Sequence, residues 1–241
     1  MKKLLPLLLL FLTSCVSNQW IFYATSDIIV PKGVKPIHIN VNMKILTDNR
    51  ASFKGNRVLF KSPRALKIKE IDVCINAEKH YHKEPVAKQI TELMVKHFNQ
   101  AKLFTHTNYN DTTGCDYYLT GTLNKFYGEQ QYSDAKFAAI AGSAIFGGVL
   151  GGTIAGIATA NIKTPGKIVI EISDLKLFRK DSVLIKDFGS FYKEYKEEFP
   201  VDLNCWCIYR NANDKLNDFN TQLTEKIRAD MWSIVYLLPA P

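Results

Sequence analysis

The chain has 241 residues and a formal net charge of +8, of which Lys2 and Lys3 supply two positive charges. This length is sufficient for one domain with a single sizeable core. No run of Lys and Arg is longer than three residues. The basic balance is therefore interpreted as scattered surface charge, and nucleic acid is excluded as a partner.

The N-terminus has the pattern of an export signal. Lys2 and Lys3 form a basic start, and the apolar stretch from Leu4 to Leu12 follows them. Nine residues are too few to span a bilayer, which needs about 20 apolar residues in a helix. We therefore predict a signal peptide over residues 1–14 and exclude it from the fold.

The end of this segment, 12-LTSC-15, resembles the lipobox of bacterial lipoprotein precursors. The resemblance implies that the sulfur of Cys15 carries diacylglycerol, that cleavage occurs before it, and that the new amine is acylated as well, often with palmitate. Two or more acyl chains anchor a protein stably, whereas one is marginal. Val16 stands where an Asp would retain such proteins in the inner membrane. The expected location is the outer membrane, on either its periplasmic or its surface side.

The remaining chain divides into a tether and a domain. Residues 15–35 carry Pro31 and Gly33 and are predicted to be a lipidated tether. Residues 36–241 are predicted to form one domain, because alternating and helical patterns follow each other without a linker. The predicted strands are 37–45, 71–75, a short one starting at 103–104, 116–130, 167–179 and 182–195; the predicted amphipathic helices are 85–100 and 213–238.

This order predicts an α+β fold with a mostly antiparallel sheet and two amphipathic helices on one face. The sequence contains no G-x-S-x-G, no P-loop, no H-E-x-x-H and no G-x-G-x-x-G that opens a helix after a strand. We therefore expect a non-enzymatic protein with no catalytic residues, no cofactor and no metal.

An uncharged insert interrupts the domain at residues 137–160, FAAIAGSAIFGGVLGGTIAGIATA. If it is helical, five small residues recur at every fourth position and form a ridge of the glycine-zipper type. Such ridges allow helix backbones to approach closely. Each helical glycine costs about 1 kcal/mol relative to alanine, so the ridge requires tight packing. The five ridge positions are Ala144, Gly148, Gly152, Gly156 and Ala160.

Three conformations of this insert are open. A single helix of about 36 Å could cross the hydrocarbon core, but it would separate the strands before and after it. A hairpin of two short helices, turning near Gly147 or Gly151, would keep both flanks on one side. We favour this hairpin, which would enter one leaflet or pack against copies of itself. The third conformation is a surface loop or core hairpin without a membrane role.

Four cysteines remain after Cys15. An even number in an oxidising compartment predicts up to two disulfides, and the connectivity is open. A bridge within C-W-C would be strained, so each of its cysteines is expected to pair elsewhere. The C-x-C spacing also lacks the C-x2-C pattern of zinc sites. The disulfide candidates are Cys74, Cys115, Cys205 and Cys207.

The layout as a whole resembles the TraT family of plasmid-encoded surface-exclusion and complement-resistance lipoproteins. The resemblance lies in the order and character of the segments, and in that family the apolar region is longer and the proteins are oligomeric. The residues at 36–75 and the four further cysteines depart from its pattern. The matching segments are 12-LTSC-15, 86-VAKQITELMVKHF-98, 116-DYYLTGTL-123, the insert, 168-IVIEISDLKL-177 and 221-TQLTEKI-227.

The resemblance implies a lipid-anchored envelope protein that forms a homo-oligomer through its insert, as a structural or surface-exclusion assembly of the outer membrane. The helix and the strand 116-DYYLTGTLNKFYGE-129 are also similar to the auxiliary lipoproteins of ABC-type lipid transporters. An accessory subunit in such an envelope protein complex is the alternative function.

Overall fold

The computed structural model of the protein describes residues 21–28, 30, 32–50, 71–73, 82–131, 163–200 and 206–234. The chain forms seven strands and two helices within these ranges. In chain order they are β1 Ile37–Met43, β2 Thr47–Asp48, β3 Ile71–Val73, α1 Val86–Gln100, β4 Phe104–Tyr109, β5 Tyr117–Gln131, β6 Lys163–Arg179, β7 Leu184–Pro200 and α2 Trp206–Trp232.

All seven strands belong to one sheet with the order β4-β1-β5-β6-β7, and the short strands β2 and β3 also pair with β5. The pairs β5–β6 and β6–β7 are antiparallel, whereas β1 runs parallel to both β4 and β5. The β1–β4 pair can be parallel because α1 lies between the two strands in the chain. The helix brings the chain back to the end of the sheet at which β1 begins. The predicted α+β class with a mostly antiparallel sheet is confirmed, and the parallel pairs of β1 make the sheet mixed.

Both helices bury their apolar stripes in one core together with the inward side chains of the sheet. In α1, Ile90, Met94 and Phe98 are fully buried at helical spacing, as the sequence predicts. In β1 the apolar side chains of Ile37, Ile39, Val41 and Met43 are buried at every second position. Burial of one such side chain stabilises the fold by roughly 1.5–3 kcal/mol.

Three elements extend several residues beyond their predicted boundaries. β6 begins at Lys163 although Pro165 and Gly166 disfavour strand, because each has a partner in β7. β7 continues to Pro200 for the same reason. α2 begins seven residues before the predicted position 213, which adds about two turns, and Tyr209 and Ala212 are buried in them. The predicted helical hairpin at 137–160 lies outside the described residues.

Gly121 allows the central strand to approach its neighbours closely. A Cβ at this position would lie 2.9 Å from Leu46 Cδ2, 3.2 Å from Leu175 Cδ1 and 3.4 Å from Ile172 Cγ2. The first distance is shorter than carbon atoms tolerate, so the Leu46 side chain must shift before a larger residue fits beneath β5.

We expect Gly121→Val to lower the free energy of unfolding by about 1–3 kcal/mol, because three apolar side chains must move apart. Chemical denaturation monitored by circular dichroism measures this. The control is Thr120→Val, at the adjacent position whose side chain points to the other face of the sheet. Equal stability of the two variants would contradict the close packing.

Candidate functional site

Residues 21–28 lie along α2 and form what we call the N-terminal strap. The amide of Ala24 donates to Asn213 Oδ1 at 2.8 Å, and the amide of Ser26 donates to Asn217 Oδ1 at 3.0 Å. Asn217 Nδ2 returns a hydrogen bond to the carbonyl of Ala24 at 2.9 Å. The two asparagines are one helical turn apart and present their amides on the same side of α2. Residues 21–28 fall within the predicted tether, and they are held against the domain.

An aromatic cluster fixes the beginning of the strap. Tyr23 is buried, and its hydroxyl lies 3.0 Å from His82 Nε2. The Tyr23 ring contacts Phe126 of β5 edge-on, with 5.6 Å between ring centroids. Tyr209 of α2 contacts both His82 and Phe126, at 5.5 and 5.9 Å. Ile21 is buried beside them, so the first strap residues belong to the core.

The strap runs in the same direction as α2. Ala24 bonds to Asn213 and Ser26 bonds to Asn217, so residues before Ala24 lead toward the first turn of α2. Phe22 stands between buried neighbours and is 63% exposed. Only six peptide steps separate Ile21 from Cys15. Six residues span at most about 20 Å when fully extended.

The two ends of the insert leave the domain side by side. β5 ends at Gln131 and β6 begins at Lys163, and the pairing between these strands continues to Gln130 and Gly166. Lys163 also pairs with Pro200, the last residue of β7, just before α2 begins. We call this edge, defined by Gln131, Lys163 and Pro200, the root end of the sheet.

The root end and the aromatic cluster occupy the same half of the molecule. Phe126 lies five residues before Gln131 on β5, a distance of about 17 Å along a strand. Tyr209 lies in the first turn of α2, close to the end of β7 in the chain. The beginning of the strap and both roots of the insert therefore emerge from one end of the domain.

The described ends of the two strands that flank the insert are neighbours. β5 and β6 are hydrogen-bonded from Tyr117 to Gln130, whereas a single crossing would place them on opposite sides of a membrane. The conformation of the insert itself lies outside the described residues. No helix in the described part of the chain combines the length and apolar character that a membrane crossing requires.

Most of the site residues predicted from sequence lie outside the described ranges. Cys15, Cys74 and Cys205 are among them, and only the backbone of Cys207 is described, in the first turn of α2. The anchor and the glycine ridge therefore stay predictions. The remaining predicted positions outside the ranges are Ala144, Gly148, Gly152, Gly156 and Ala160.

Cys115 is described and is a buried free thiol. Asn108 Nδ2 lies 3.3 Å from its sulfur, and burial raises the pKa of the thiol. A higher pKa leaves less thiolate and lowers reactivity. Because the other three candidates are not described at the side-chain level, the disulfide prediction stays a prediction.

A second polar feature, which sequence reasoning missed, lies between α1 and α2. His97 is 1% exposed, and its Nε2 lies 3.5 Å from Thr221 Oγ1, a long contact. Its Nδ1 has no hydrogen-bond partner in the described structure, and neither has the fully buried side chain of Asn220. Arg228 Nη2 donates to the carbonyl of Ala101 at 2.8 Å. Burial lowers the pKa of His97 to about 4, so the imidazole is neutral at pH 7.

This interhelical contact does not form a metal site. Across the ranges that the structure describes, no group of three or more His, Cys, Asp and Glu side chains is arranged for metal binding. A signal for its burial was present in the sequence, because His97 lies three residues after Met94 and beside Phe98 on the apolar stripe of α1.

The comparisons with known proteins give only distant likenesses. No family model and no curated protein matches the chain. Among solved structures, it is similar to protein XCC0632 from Xanthomonas campestris, of the family DUF330, with a TM-score of 0.45 and 13% identity over 88% of this chain and 98% of that one. It is also similar to a homolog of the neuraminyllactose-binding hemagglutinin from Helicobacter pylori, with a TM-score of 0.35 and 8% identity over 90% of this chain and 98% of that one. At these values, neither likeness indicates a function for this chain.

We expect Asn217→Ala to weaken docking of the strap by about 1–3 kcal/mol, because both strap hydrogen bonds of this side chain are lost. Hydrogen exchange measured by mass spectrometry should show faster exchange of residues 21–28. Asn211→Ala is the control, since Asn211 is exposed on the same helix. Unchanged exchange in the strap would show that the asparagine contacts do not hold it.

We expect the free energy of unfolding to decrease as pH falls from about 6.5 to about 4, because the unfolded chain then binds a proton that buried His97 does not. The whole decrease is on the order of 3 kcal/mol. Denaturation in urea at several pH values measures it, and His97→Gln should remove this part of the slope. His106→Gln is the control, since His106 is exposed; a slope unaffected by His97→Gln would contradict the assignment.

Proposed function

We propose that this is a lipid-anchored protein of the bacterial outer membrane, attached through Cys15, that self-associates through residues 137–160. The assembly is of the structural or surface-exclusion type, as the TraT-like layout implies. The partners are membrane lipid and further copies of the chain, and no catalytic role is proposed.

The observation that carries the proposal is the position of the insert's roots. Gln131 and Lys163 end and begin neighbouring antiparallel strands, so the pairing of the sheet is maintained on both sides of the insert. This supports an uncharged insert that projects from the domain. An insert of this kind has both flanks on one side, as the helical-hairpin interpretation requires. Its arms would be too short to cross a bilayer but long enough to enter one leaflet or pack together.

The chemistry of the insert supports packing between copies. A ridge of small side chains allows helices to approach until their backbones are in van der Waals contact. Six glycines in a helix of this length would cost several kcal/mol in water, about 1 kcal/mol for each. Close contact with neighbouring copies, or with lipid, offsets that cost.

We expect the native protein, extracted in mild detergent from its own membrane, to be a large homogeneous homo-oligomer. The double variant Gly148→Leu and Gly152→Leu should reduce this particle to monomers, because the added side chains hold the helices apart. Mass photometry and native mass spectrometry measure the particle.

Gly142→Leu is the matched control, since Gly142 lies in the insert but is not one of the five ridge positions. A particle of unchanged mass in the double variant would contradict the assembly proposal. A wild-type particle composed mainly of other subunits would favour the alternative, an accessory lipoprotein of an ABC-type lipid-transport system.

A further inference from the structure

We propose that the root end of the sheet rests on the lipid surface and contacts it through Phe22, with the β6–β7 turn pointing away from the membrane. This orientation rests on the proposed function, since it requires acyl chains on Cys15. It adds an interaction surface and its partner, the headgroup layer of a bilayer.

The first argument is the shortness of the free tether. Strap docking fixes Ile21 in the core, and six peptide steps reach at most about 20 Å beyond it. A predicted tether of 21 residues, from Cys15 to residue 35, would have allowed the domain to lie several times farther away. The lipid anchor therefore holds this part of the domain close to the bilayer.

The second argument is that both attachments share one end. The strap leads toward the first turn of α2. Gln131 and Lys163, to which the insert is attached, lie at the same end of the sheet. α2 has 27 residues and is about 40 Å long, so its last residue, Trp232, lies far from both attachments. The turn between Arg179 and Leu184 is also at the opposite end of the sheet.

The third argument is Phe22. Its neighbours Ile21 and Tyr23 are buried, and an extended chain directs alternate side chains to opposite sides, so Phe22 faces away from the domain. At 63%, it is the most exposed large apolar side chain of the described residues. Aromatic side chains in this position enter the boundary between headgroups and acyl chains.

Charge contributes little to this contact. The strand ends near the roots contain residues of both signs, so no single-sign field points at the membrane. We therefore expect the contact to persist at high salt and on vesicles without anionic lipid. The charged residues are Lys163, Lys167, Lys196, Asp72, Glu129, Glu197 and Glu198.

Native tryptophans provide the test. Trp206 is the first residue of α2 and Trp232 the last, and the only other tryptophan is Trp20. Two full-length lipidated chains, each with one of the helix tryptophans kept and the other two replaced by Phe, are reconstituted into vesicles of phosphatidylethanolamine and phosphatidylglycerol with brominated acyl chains. We expect the bromines to quench the fluorescence of Trp206. The emission of Trp232 should be the same in brominated and unbrominated vesicles. Equal quenching of both, or quenching of Trp232 alone, would overturn the orientation.

Phe22→Ser is then introduced into the chain that keeps Trp206. We expect quenching of Trp206 to fall toward the level of Trp232, because the aromatic contact is lost while the covalent anchor stays. The matched control is Val183→Ser, an exposed apolar residue in the turn at the opposite end, which should change nothing. Quenching unaffected by Phe22→Ser would overturn the role of Phe22.

Two further measurements separate this proposal from the anchor itself. Intact-mass spectrometry of the purified chain shows whether Cys15 carries acyl chains, and Cys15→Ser should release the protein from the membrane fraction. An unacylated chain would contradict the proposed anchor and the orientation with it. An acylated chain with neither tryptophan quenched would contradict the orientation alone.

Discussion

The antiparallel pairing of β5 with β6 is the constraint on which the rest of the structure depends. β5 pairs with β1, β2 and β3 along one edge and with β6 along the other, so the β5–β6 pair joins the two halves of the sheet. The 31 residues between them, 132–162, must close a loop whose ends stay side by side. Loop closure is tolerant of length, because doubling a loop costs only about 0.6 kcal/mol. The domain can therefore carry a long apolar insert without loss of its own pairing.

The fold was predictable wherever a pattern repeats. The alternation in β1 and the apolar stripes of both helices are visible in the sequence because each reflects one buried face. The direction of β1 was not predictable, since alternation is the same in parallel and antiparallel strands. It depends on the connection through α1, and therefore on tertiary packing.

The site was less predictable than the fold. The strap is too short to show a clear periodic pattern, and Pro31 and Gly33 shortly after it indicate a break. Its backbone is nevertheless held by Asn213 and Asn217 through hydrogen bonds. Such bonds select no particular side chain on the strap, so the sequence of residues 21–28 carries no trace of them. His97 presents the opposite case: its place on the apolar stripe of α1 was visible, but its burial depends on where α2 packs.

The strap also bears on how the chain reaches its native state. Its hydrogen bonds join residues that are 189 to 193 positions apart, the first described residues to the last helix. Contacts of such sequence separation form late, since most of the chain must be ordered before their ends meet. Among the described elements, α2 is also the last to be synthesised. We therefore expect the strap to dock only after α2 has packed. Docking shortens the free part of the predicted tether from 21 residues to six. The last step of folding would thus also be the step that brings the domain close to its lipid anchor.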